Sequence, residues 1–193
     1  MNQPVVPSNQ DASLFAFPIV ARSRSQLGTP LDGRYGAMVP EQLRAAMGAL
    51  IPRVSLKNVD YIIGIPEGGS IPAYEFASST NIKLILASHG QPAASDAIQF
   101  IEPHEIQDRS VKYIHGLPRG ARTVIVEDEI TTGRTIINCV RSLRRAGVFC
   151  DEVVTIYCAD DASVHAQIAA ENVRLHYLWT FSQEIVDEQS PRP

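Results

Sequence analysis

Cysteine is scarce in this sequence, and its spacing excludes a disulfide framework or a zinc site. Only 3 of the 193 residues are cysteine, namely Cys139, Cys150 and Cys158. They form neither a CxxC pair nor a Cys/His metal pattern. An odd number of thiols without a secretory signal is typical of a reducing compartment. We therefore expect three small buried thiols in a cytoplasmic protein.

Long apolar runs and an excess of basic charge are also missing. No run approaches the roughly 18–20 apolar residues that a membrane-spanning helix needs. The segment SLFAFPIVA, residues 13–21, is short and lacks the basic flank of a signal peptide. The formal net charge of −4 argues against a broad nucleic-acid surface. We expect neither a membrane nor a nucleic acid as a partner.

What the sequence does contain is an alternation of short apolar runs and amphipathic segments. With 193 residues, of which 45% are hydrophobic and 20% charged, the chain suits one large domain with a sizeable core. The pattern predicts strands at residues 59–65, 82–88, 123–127, 151–159 and 173–181. It predicts helices at residues 40–51, 71–80, 133–146 and 162–172. This alternation indicates an α/β fold with a central, mostly parallel sheet flanked by helices.

Residues 89–118 interrupt the alternation. They hold several glycines, prolines and histidines and two short β-like pieces, AIQFIE and VKYIHG. The pattern predicts a long irregular insertion, and such segments are usually functional lids or disordered.

The stretch TVIVEDEITTGRTI, residues 123–136, carries the strongest chemical signal. Its apolar strand ends on Glu127, Asp128 and Glu129, and a loop rich in hydroxyls and glycine leads into the next helix. Ligands of parallel α/β sheets bind at the carboxyl ends of the strands, and a helix N-terminus favours an anion. The loop therefore predicts a phosphate cradle, although the chain contains no GxxxxGK[ST] motif.

The adjacent acids need a different partner, because two carboxylates would repel a bare phosphate. The vicinal hydroxyls of a ribose can each donate a hydrogen bond to a carboxylate, so a sugar phosphate would satisfy the whole stretch. The alternative is structural: the acids are solvated at a strand end and cap the next helix.

The segment VIVEDEITTGRT resembles the phosphoribosyl-pyrophosphate (PRPP) signature of the type I phosphoribosyltransferases. The shared features are a short apolar run, two acids, two variable residues and a Thr-Gly-x-Thr-like loop. The resemblance implies that Glu127 and Asp128 hold the 2′- and 3′-hydroxyls of the ribose. It implies that the 5-phosphate is bound by Thr131, Thr132, Gly133, Arg134 and Thr135.

The same family has a pyrophosphate-binding loop after its first core strand, and IIGIPEGGSIPA, residues 62–73, stands at that position here. Glycines allow backbone N–H groups to turn toward an anion. The resemblance assigns the pyrophosphate to Glu67, Gly68, Gly69 and Ser70. Taken by itself, PEGG also fits a plain turn between a strand and a helix.

Residues 89–118 fall where type I enzymes have a flexible catalytic loop that closes over PRPP. Closure excludes water from a reaction that passes through a ribosyl cation. Arg109, Lys112 and His115 are the candidates for neutralising the leaving pyrophosphate. Each of them alone also fits a solvated surface charge. His104 fits lid chemistry and an exposed loop equally well.

The C-terminal third, VVTIYCADDASVHAQIAAENVRLHYLWTF, resembles the end of orotate phosphoribosyltransferases. Two departures concern the acceptor. Asp160-Asp161 stands where orotate enzymes have an Asp-Arg pair whose arginine grips the substrate carboxylate, and ASHGQPAAS replaces an Arg/Lys-rich opening of the lid. The carboxylate of orotate would therefore meet acids. Trp179 and Phe181 are expected to pack in the core or the hood.

These features predict three parts of the chain. Residues 1–55 are expected to contribute a small hood and the first helix. Residues 56–181 are expected to form the phosphoribosyltransferase core, with a flexible lid at about 89–118, and residues 182–193 a C-terminal tail. Because the family is usually dimeric, we expect a homodimer.

The expected reaction is phosphoribosyl transfer from PRPP to a nitrogenous base or other small acceptor, with release of pyrophosphate. The expected catalytic residues are Asp128, Glu127, Lys112 and Arg109. Mg²⁺ is expected to be held through PRPP and not by a protein cage, because a pyrophosphate leaving group needs its charge neutralised. Two alternatives stay open: an unusual acceptor that is not a nucleobase, and a regulatory protein that binds PRPP without catalysis.

Overall fold

The computed structural model describes residues 20–23, 26–32, 36–91, 93, 96–103 and 109–181. The expected tail at 182–193 and the first part of the expected hood lie outside the described residues. The described part of the chain begins with two short antiparallel strands, β1 (Val20–Ser23) and β2 (Gln26–Gly28). Helix α1 (Pro40–Leu50) follows them.

The remaining elements form successive strand and helix units. In chain order they are β3 (Tyr61–Gly64), α2 (Ser70–Thr80), β4 (Lys83–Leu86), β5 (Ile98–Pro103), β6 (Arg109–Ile114), β7 (Arg122–Ile130), α3 (Arg134–Arg145), β8 (Phe149–Ala159), α4 (Ala162–Ala170) and β9 (Arg174–Phe181). Every predicted strand and helix is present, with somewhat different ends. The prediction that one strand ends on the acids was wrong, because β7 continues through all three of them to Ile130.

Five of the strands form one parallel sheet in the order β4-β3-β7-β8-β9, which confirms the predicted fold class. The central strand is β7. Its pairing with β3 ends at Val126, opposite Gly64, and its pairing with β8 ends at Ile130, opposite Cys158. Because the five strands run in one direction, their carboxyl ends lie along one edge of the sheet. This edge carries the acidic stretch.

Alternate residues of the central strands feed two hydrophobic cores, one on each face of the sheet. On one face, Ile62 and Val126 pack with α1, α2 and Leu27 of β2. On the other face, Ile63 and Ile125 pack with α3, α4, β5 and β6. Burial on both faces explains why these strands are continuous apolar runs in the sequence.

The segment predicted as an irregular insertion is more regular than expected. Strands β5 and β6 pair antiparallel along their whole length, so the two β-like pieces form one hairpin. Phe100 and Ile114 are buried in the same core as α3. Asn138 Nδ2 of α3 donates a 2.8 Å hydrogen bond to Ile101 O of β5. The hairpin is therefore packed on α3, while His104 lies outside the described residues.

Two expectations drawn from the composition concern the burial of the three cysteine thiols and the lack of a membrane-spanning helix. Cys139, Cys150 and Cys158 are all buried and free, as predicted. Within the described ranges, no helix is long and apolar enough to cross a bilayer.

Candidate active site

Two loops meet at the carboxyl edge of the sheet, because β3 and β7 are adjacent and parallel. The glycine loop, residues 65–69, joins β3 to α2. The threonine loop, residues 131–133, joins β7 to α3. The peptide bond between Pro66 and Glu67 in the glycine loop is cis.

The glycine loop lies directly on the acids of β7. A β-carbon built on Gly68 would come within 2.2 Å of Asp128 Oδ2, and one on Gly69 within 2.7 Å of Glu127 Oε2. Neither position has room for a side chain. The backbone of this loop and the two carboxylates therefore border one site.

The two acids are strongly desolvated. Asp128 is 5% exposed, and Glu127 Oε2 is inaccessible to solvent and has no hydrogen-bond partner within the described part of the chain. Burial first, and then the neighbouring carboxylate of Asp128, hold the pKa of Glu127 well above its usual range. An unpartnered buried oxygen of this kind can accept a hydrogen bond from a ligand hydroxyl or bind a cation.

The hood segment, residues 26–32, reaches the same acidic stretch. Leu27 N donates a 2.8 Å hydrogen bond to Glu129 Oε2. Thr29 Oγ1, which is fully buried, donates to Asp128 Oδ2 at 3.3 Å. Sequence reasoning assigned this part of the chain to a hood but missed Thr29. No local motif marks that residue, because its partner lies 99 positions away.

The threonine loop opens α3 through a left-handed glycine. Gly133 has a φ of 70°, a conformation that glycine adopts without strain. A β-carbon there would lie 3.2–3.3 Å from Ile168 and Val164, so α4 supports the loop from behind. The first N–H groups of a helix have no intrahelical acceptor, and together with the dipole they make its N-terminus an anion site. The loop and first turn carry the predicted Thr131, Thr132, Arg134 and Thr135.

The structural alternative for the acids was wrong. The N-cap of α3 is Gly133, no side chain of the described residues caps this helix, and its first turn contains no acid. Glu127 and Asp128 therefore do not serve α3 as capping residues.

Of the basic lid candidates, the structure brings Lys112 to the site. Its side chain is almost fully buried, and Nζ lies 3.1 Å from Pro66 O of the glycine loop. Nζ also lies 3.1 Å from Glu102 Oε2, and 3.0 Å and 3.3 Å from the two ring nitrogens of His89, Nε2 and Nδ1. The expectation of a solvated surface charge was wrong for this residue.

The other two candidates are not brought to the glycine loop by any described contact. His115 pairs with Asp96 at 2.9 Å, and both side chains are exposed. The side chain of Arg109 lies outside the described structure.

Glu102 and His89 are site residues that sequence reasoning missed. A period-two reading of the hairpin would have found Glu102, because it shares a strand face with buried Ile98 and Phe100. The same reading places Lys112 on the inward face with Ile114. No signal marks His89, which follows β4 in an irregular segment.

The two acids after β8 have different roles, which corrects the expectation that both would face the acceptor. Asp161 Oδ1 accepts a 2.7 Å hydrogen bond from Ser163 N and caps α4. Asp160 is exposed. Trp179 and Phe181 are 5% and 3% exposed, so both pack in the core, as predicted.

Comparison with known proteins adds to this geometry. The family model described as "Phosphoribosyl transferase domain" matches residues 40–184. The hypoxanthine/guanine phosphoribosyltransferase of Methanosarcina barkeri is 25% identical over 145 residues, which are 75% of this chain and 76% of that protein. Orotate phosphoribosyltransferase 2 of Mesorhizobium japonicum is 32% identical over 123 residues, which are 64% of this chain and 54% of that protein.

A third relative is much longer than this chain. Amidophosphoribosyltransferase 3, chloroplastic, of Arabidopsis thaliana is 31% identical over 114 residues, which are 55% of this chain and 20% of that protein. The chain thus spans about half of the orotate relative and a fifth of the Arabidopsis protein.

Solved structures share the fold. Adenine phosphoribosyl transferase of Trypanosoma brucei aligns with a TM-score of 0.69 at 17% identity, covering 97% of this chain and 87% of that one. Adenine phosphoribosyltransferase of Rhodothermus marinus aligns with a TM-score of 0.63 at 20% identity, covering 74% of this chain and 81% of that one. The family match extends over most of the chain, including both loops and the acid pair. This protein belongs to the phosphoribosyl transferase domain family.

Proposed function

We propose that this protein transfers the phosphoribosyl group of PRPP to a nitrogenous base and releases pyrophosphate. One observation carries the proposal: Gly68 and Gly69 lie against Asp128 and Glu127, and the threonine loop follows the same acids along β7. PRPP has a pyrophosphate, a ribose and a 5-phosphate. These three groups match the glycine loop, the acid pair and the threonine loop in that order.

Each surface has a role that follows from its chemistry. Carboxylates such as Asp128 are strong acceptors for ribose hydroxyls, and the N-terminus of α3 binds the 5-phosphate. Backbone N–H groups of the glycine loop bind the pyrophosphate. The bond from C1 to the pyrophosphate oxygen breaks as the acceptor nitrogen bonds to C1, and the proton of that nitrogen passes to solvent. A desolvated carboxylate beside the ribose also stabilises the positive charge that develops there.

The chemistry of the acid pair fits Mg²⁺ bound together with PRPP. Among the residues that the structure describes, no group of three or more His, Cys, Asp or Glu side chains is placed to hold a metal by itself. Glu127 Oε2, however, is a buried oxygen without a partner in that part of the chain, and Mg²⁺ prefers oxygen ligands. Glu127 and Asp128 would face the metal–PRPP complex. When bound, the ion neutralises the leaving pyrophosphate.

The acceptor is proposed to be a heterocyclic base. Two relatives are named for hypoxanthine/guanine and for orotate, and the Trypanosoma brucei structure contains AMP, pyrophosphate and ribose-5-phosphate. In this chain Asp160 is exposed after the carboxyl end of β8. A carboxylate accepts hydrogen bonds from ring and exocyclic N–H groups and repels another carboxylate. We therefore rank purine bases before orotate.

We also propose that the protein is a cytoplasmic homodimer. The exposed apolar side chains Ile71 and Tyr74 lie on α2, and Leu86 lies on the edge strand β4. A second copy would remove this apolar surface from water. The three free buried thiols support a reducing compartment. Light scattering coupled to gel filtration tests the dimer, and the mass of a single chain contradicts it.

Calorimetric titration with PRPP, with and without Mg²⁺, tests the sugar-phosphate site. The wild-type protein is expected to bind PRPP in the presence of Mg²⁺, and Glu127→Gln/Asp128→Asn is expected to abolish binding. The matched control is Asp151→Asn/Glu171→Gln, which removes the same two charges from surface ion pairs. Undiminished binding by the acid variant, or no binding by folded wild-type protein, contradicts the proposal.

Pyrophosphate release then tests catalysis and the acceptor. The protein is incubated with PRPP and Mg²⁺ and with adenine, hypoxanthine, guanine or orotate in turn. Release with a purine is the expected result. Binding of PRPP without release for any base supports the alternatives, namely an unusual acceptor or a regulatory PRPP-binding protein.

A further inference from the structure

A buried amino group lies behind the glycine loop. Lys112 is 1% exposed, and among the described residues its Nζ contacts three others: Pro66 O at 3.1 Å, Glu102 Oε2 at 3.1 Å, and the imidazole of His89, with Nε2 at 3.0 Å and Nδ1 at 3.3 Å. The ammonium group of a lysine has three N–H donors. Its hydrogen-bonding capacity is therefore filled within the protein. We refer to Lys112, Glu102 and His89 as the lysine cluster.

The members of the lysine cluster come from three segments of the chain. Lys112 lies on β6, and Glu102 lies diagonally across the hairpin on β5, because Lys112 pairs with Phe100. His89 follows β4 and is itself exposed, so it covers the amino group on its solvent side. The cluster therefore joins the hairpin and the end of β4 to one carbonyl of the glycine loop.

That carbonyl belongs to the same short loop as the two glycines that border the acids. Pro66 precedes Gly68 by two residues. Gly68 and Gly69 lie so close to Asp128 and Glu127 that a β-carbon on either glycine would clash. A shift of Pro66 would move both glycines and the N–H groups near them. A misplacement of about 1 Å in a binding site can cost about 100-fold in rate. The direction of the loop N–H groups thus depends on a contact outside the site itself.

We propose that Lys112 is a positioning residue that presets the glycine loop for pyrophosphate through Pro66 O, and that Glu102 and His89 hold its amino group in place. The identity of the ligand rests on the proposed function, but the preset loop is a property of the ligand-free protein. The competing role is direct contact, in which Lys112 leaves its partners and touches the pyrophosphate.

Hydrogen–deuterium exchange of the ligand-free protein measures the preset loop. Lys112→Met is expected to raise exchange at residues 67–70 about tenfold, because local opening no longer has to break this contact. Glu102→Gln and His89→Ala are expected to raise it by smaller factors, and amides of α1 and β8 are expected to stay unchanged in all three.

The matched control is His115→Ala, since His115 follows the same hairpin and is exposed. It is expected to exchange like the wild type. If Lys112→Met does not fold, exchange at residues 67–70 in Glu102→Gln and His89→Ala decides whether the cluster presets the loop. Wild-type exchange at residues 67–70 in all folded cluster variants overturns the proposal.

Titration with pyrophosphate and Mg²⁺ separates positioning from direct contact. Positioning predicts weaker binding by all three cluster variants, by about 10- to 100-fold for Lys112→Met, because misaligned N–H groups lose hydrogen bonds to a charged ligand. Direct contact predicts that Glu102→Gln, which frees the amino group from a carboxylate, binds as tightly as the wild type or more tightly. That result overturns the proposal. If the wild type binds neither pyrophosphate nor PRPP, the proposed function fails, and the exchange measurement still decides whether the cluster holds the loop.

Discussion

Substitution of Gly68 by alanine tests the contact on which the site is built. A β-carbon at this position would lie 2.2 Å from Asp128 Oδ2 and 2.4 Å from both Cγ and Oδ1. Ordinary contacts of a β-carbon begin at 3.4 Å, so the loop and the carboxylate must separate by about 1 Å. Asp128 is buried and bonded to Thr29, and we expect the loop to move.

The size of the effect follows from this displacement. Overpacking of a close contact costs about 1–3 kcal/mol of unfolding free energy. Misaligned N–H groups lose hydrogen bonds to the charged pyrophosphate, each worth about 1.5–3 kcal/mol, so PRPP binding is expected to weaken by about 10- to 100-fold. Both changes are large enough to measure.

Urea denaturation measures the loss of unfolding free energy, and calorimetric titration with PRPP and Mg²⁺ measures the loss of affinity. Gly48→Ala is the matched control, because Gly48 lies inside α1 and a β-carbon there would meet nothing within 4 Å. It is expected to stabilise the protein by about 1 kcal/mol, since alanine is the better helix former, and to leave PRPP binding unchanged.

Two results would refute the reasoning in different ways. Wild-type stability of Gly68→Ala would mean that the glycine loop does not lie on Asp128. Reduced stability with unchanged affinity for PRPP would mean that the contact is only structural and that this loop does not bind the pyrophosphate.

Two further predictions concern single acids. Glu127→Gln is expected to make the ligand-free protein more stable at neutral pH. Burial and Asp128 raise the pKa of Glu127, so its contribution to stability is full below the ordinary glutamate pKa and declines as the pH rises toward the raised pKa. Urea denaturation across this pH range should show a smaller decline in unfolding free energy for Glu127→Gln than for the wild type. An equal decline contradicts a raised pKa of Glu127. Asp161→Ala removes the N-cap of α4 and is expected to lower the melting temperature slightly without changing PRPP affinity or base preference. A changed base preference would place Asp161 at the acceptor.

The acid pair and the threonine loop could be predicted because their chemistry is contiguous in the sequence. A strand, two carboxylates, a glycine and a helix start follow one another within residues 123–136, and the parallel sheet puts them at one edge. The length of β7 could not be predicted in the same way. Glu129 and Ile130 continue the strand because they pair with Tyr157 and Cys158 of β8, a partner that local propensity does not reveal.

The lysine cluster could not be predicted as a unit, because its members meet only through tertiary pairing. A lysine in a sequence reads as a surface charge, since burying one is costly unless partners surround it. The partners of Lys112 come from residues 66, 89 and 102. Thr29 poses the same problem. Its role depends on the position of the hood segment relative to β7, which no motif in residues 26–32 records.

The bond from Leu27 N to Glu129 Oε2 has a consequence for how such proteins diversify. The donor is a main-chain group, so this hydrogen bond does not itself require a leucine at position 27, although the buried site of Leu27 still requires an apolar side chain. The family match begins at residue 40, beyond the hood segment. Leu27 and Thr29 are held by the core and by Asp128, so we expect variants that keep the segment attached to retain an apolar side chain and a hydroxyl at these two positions.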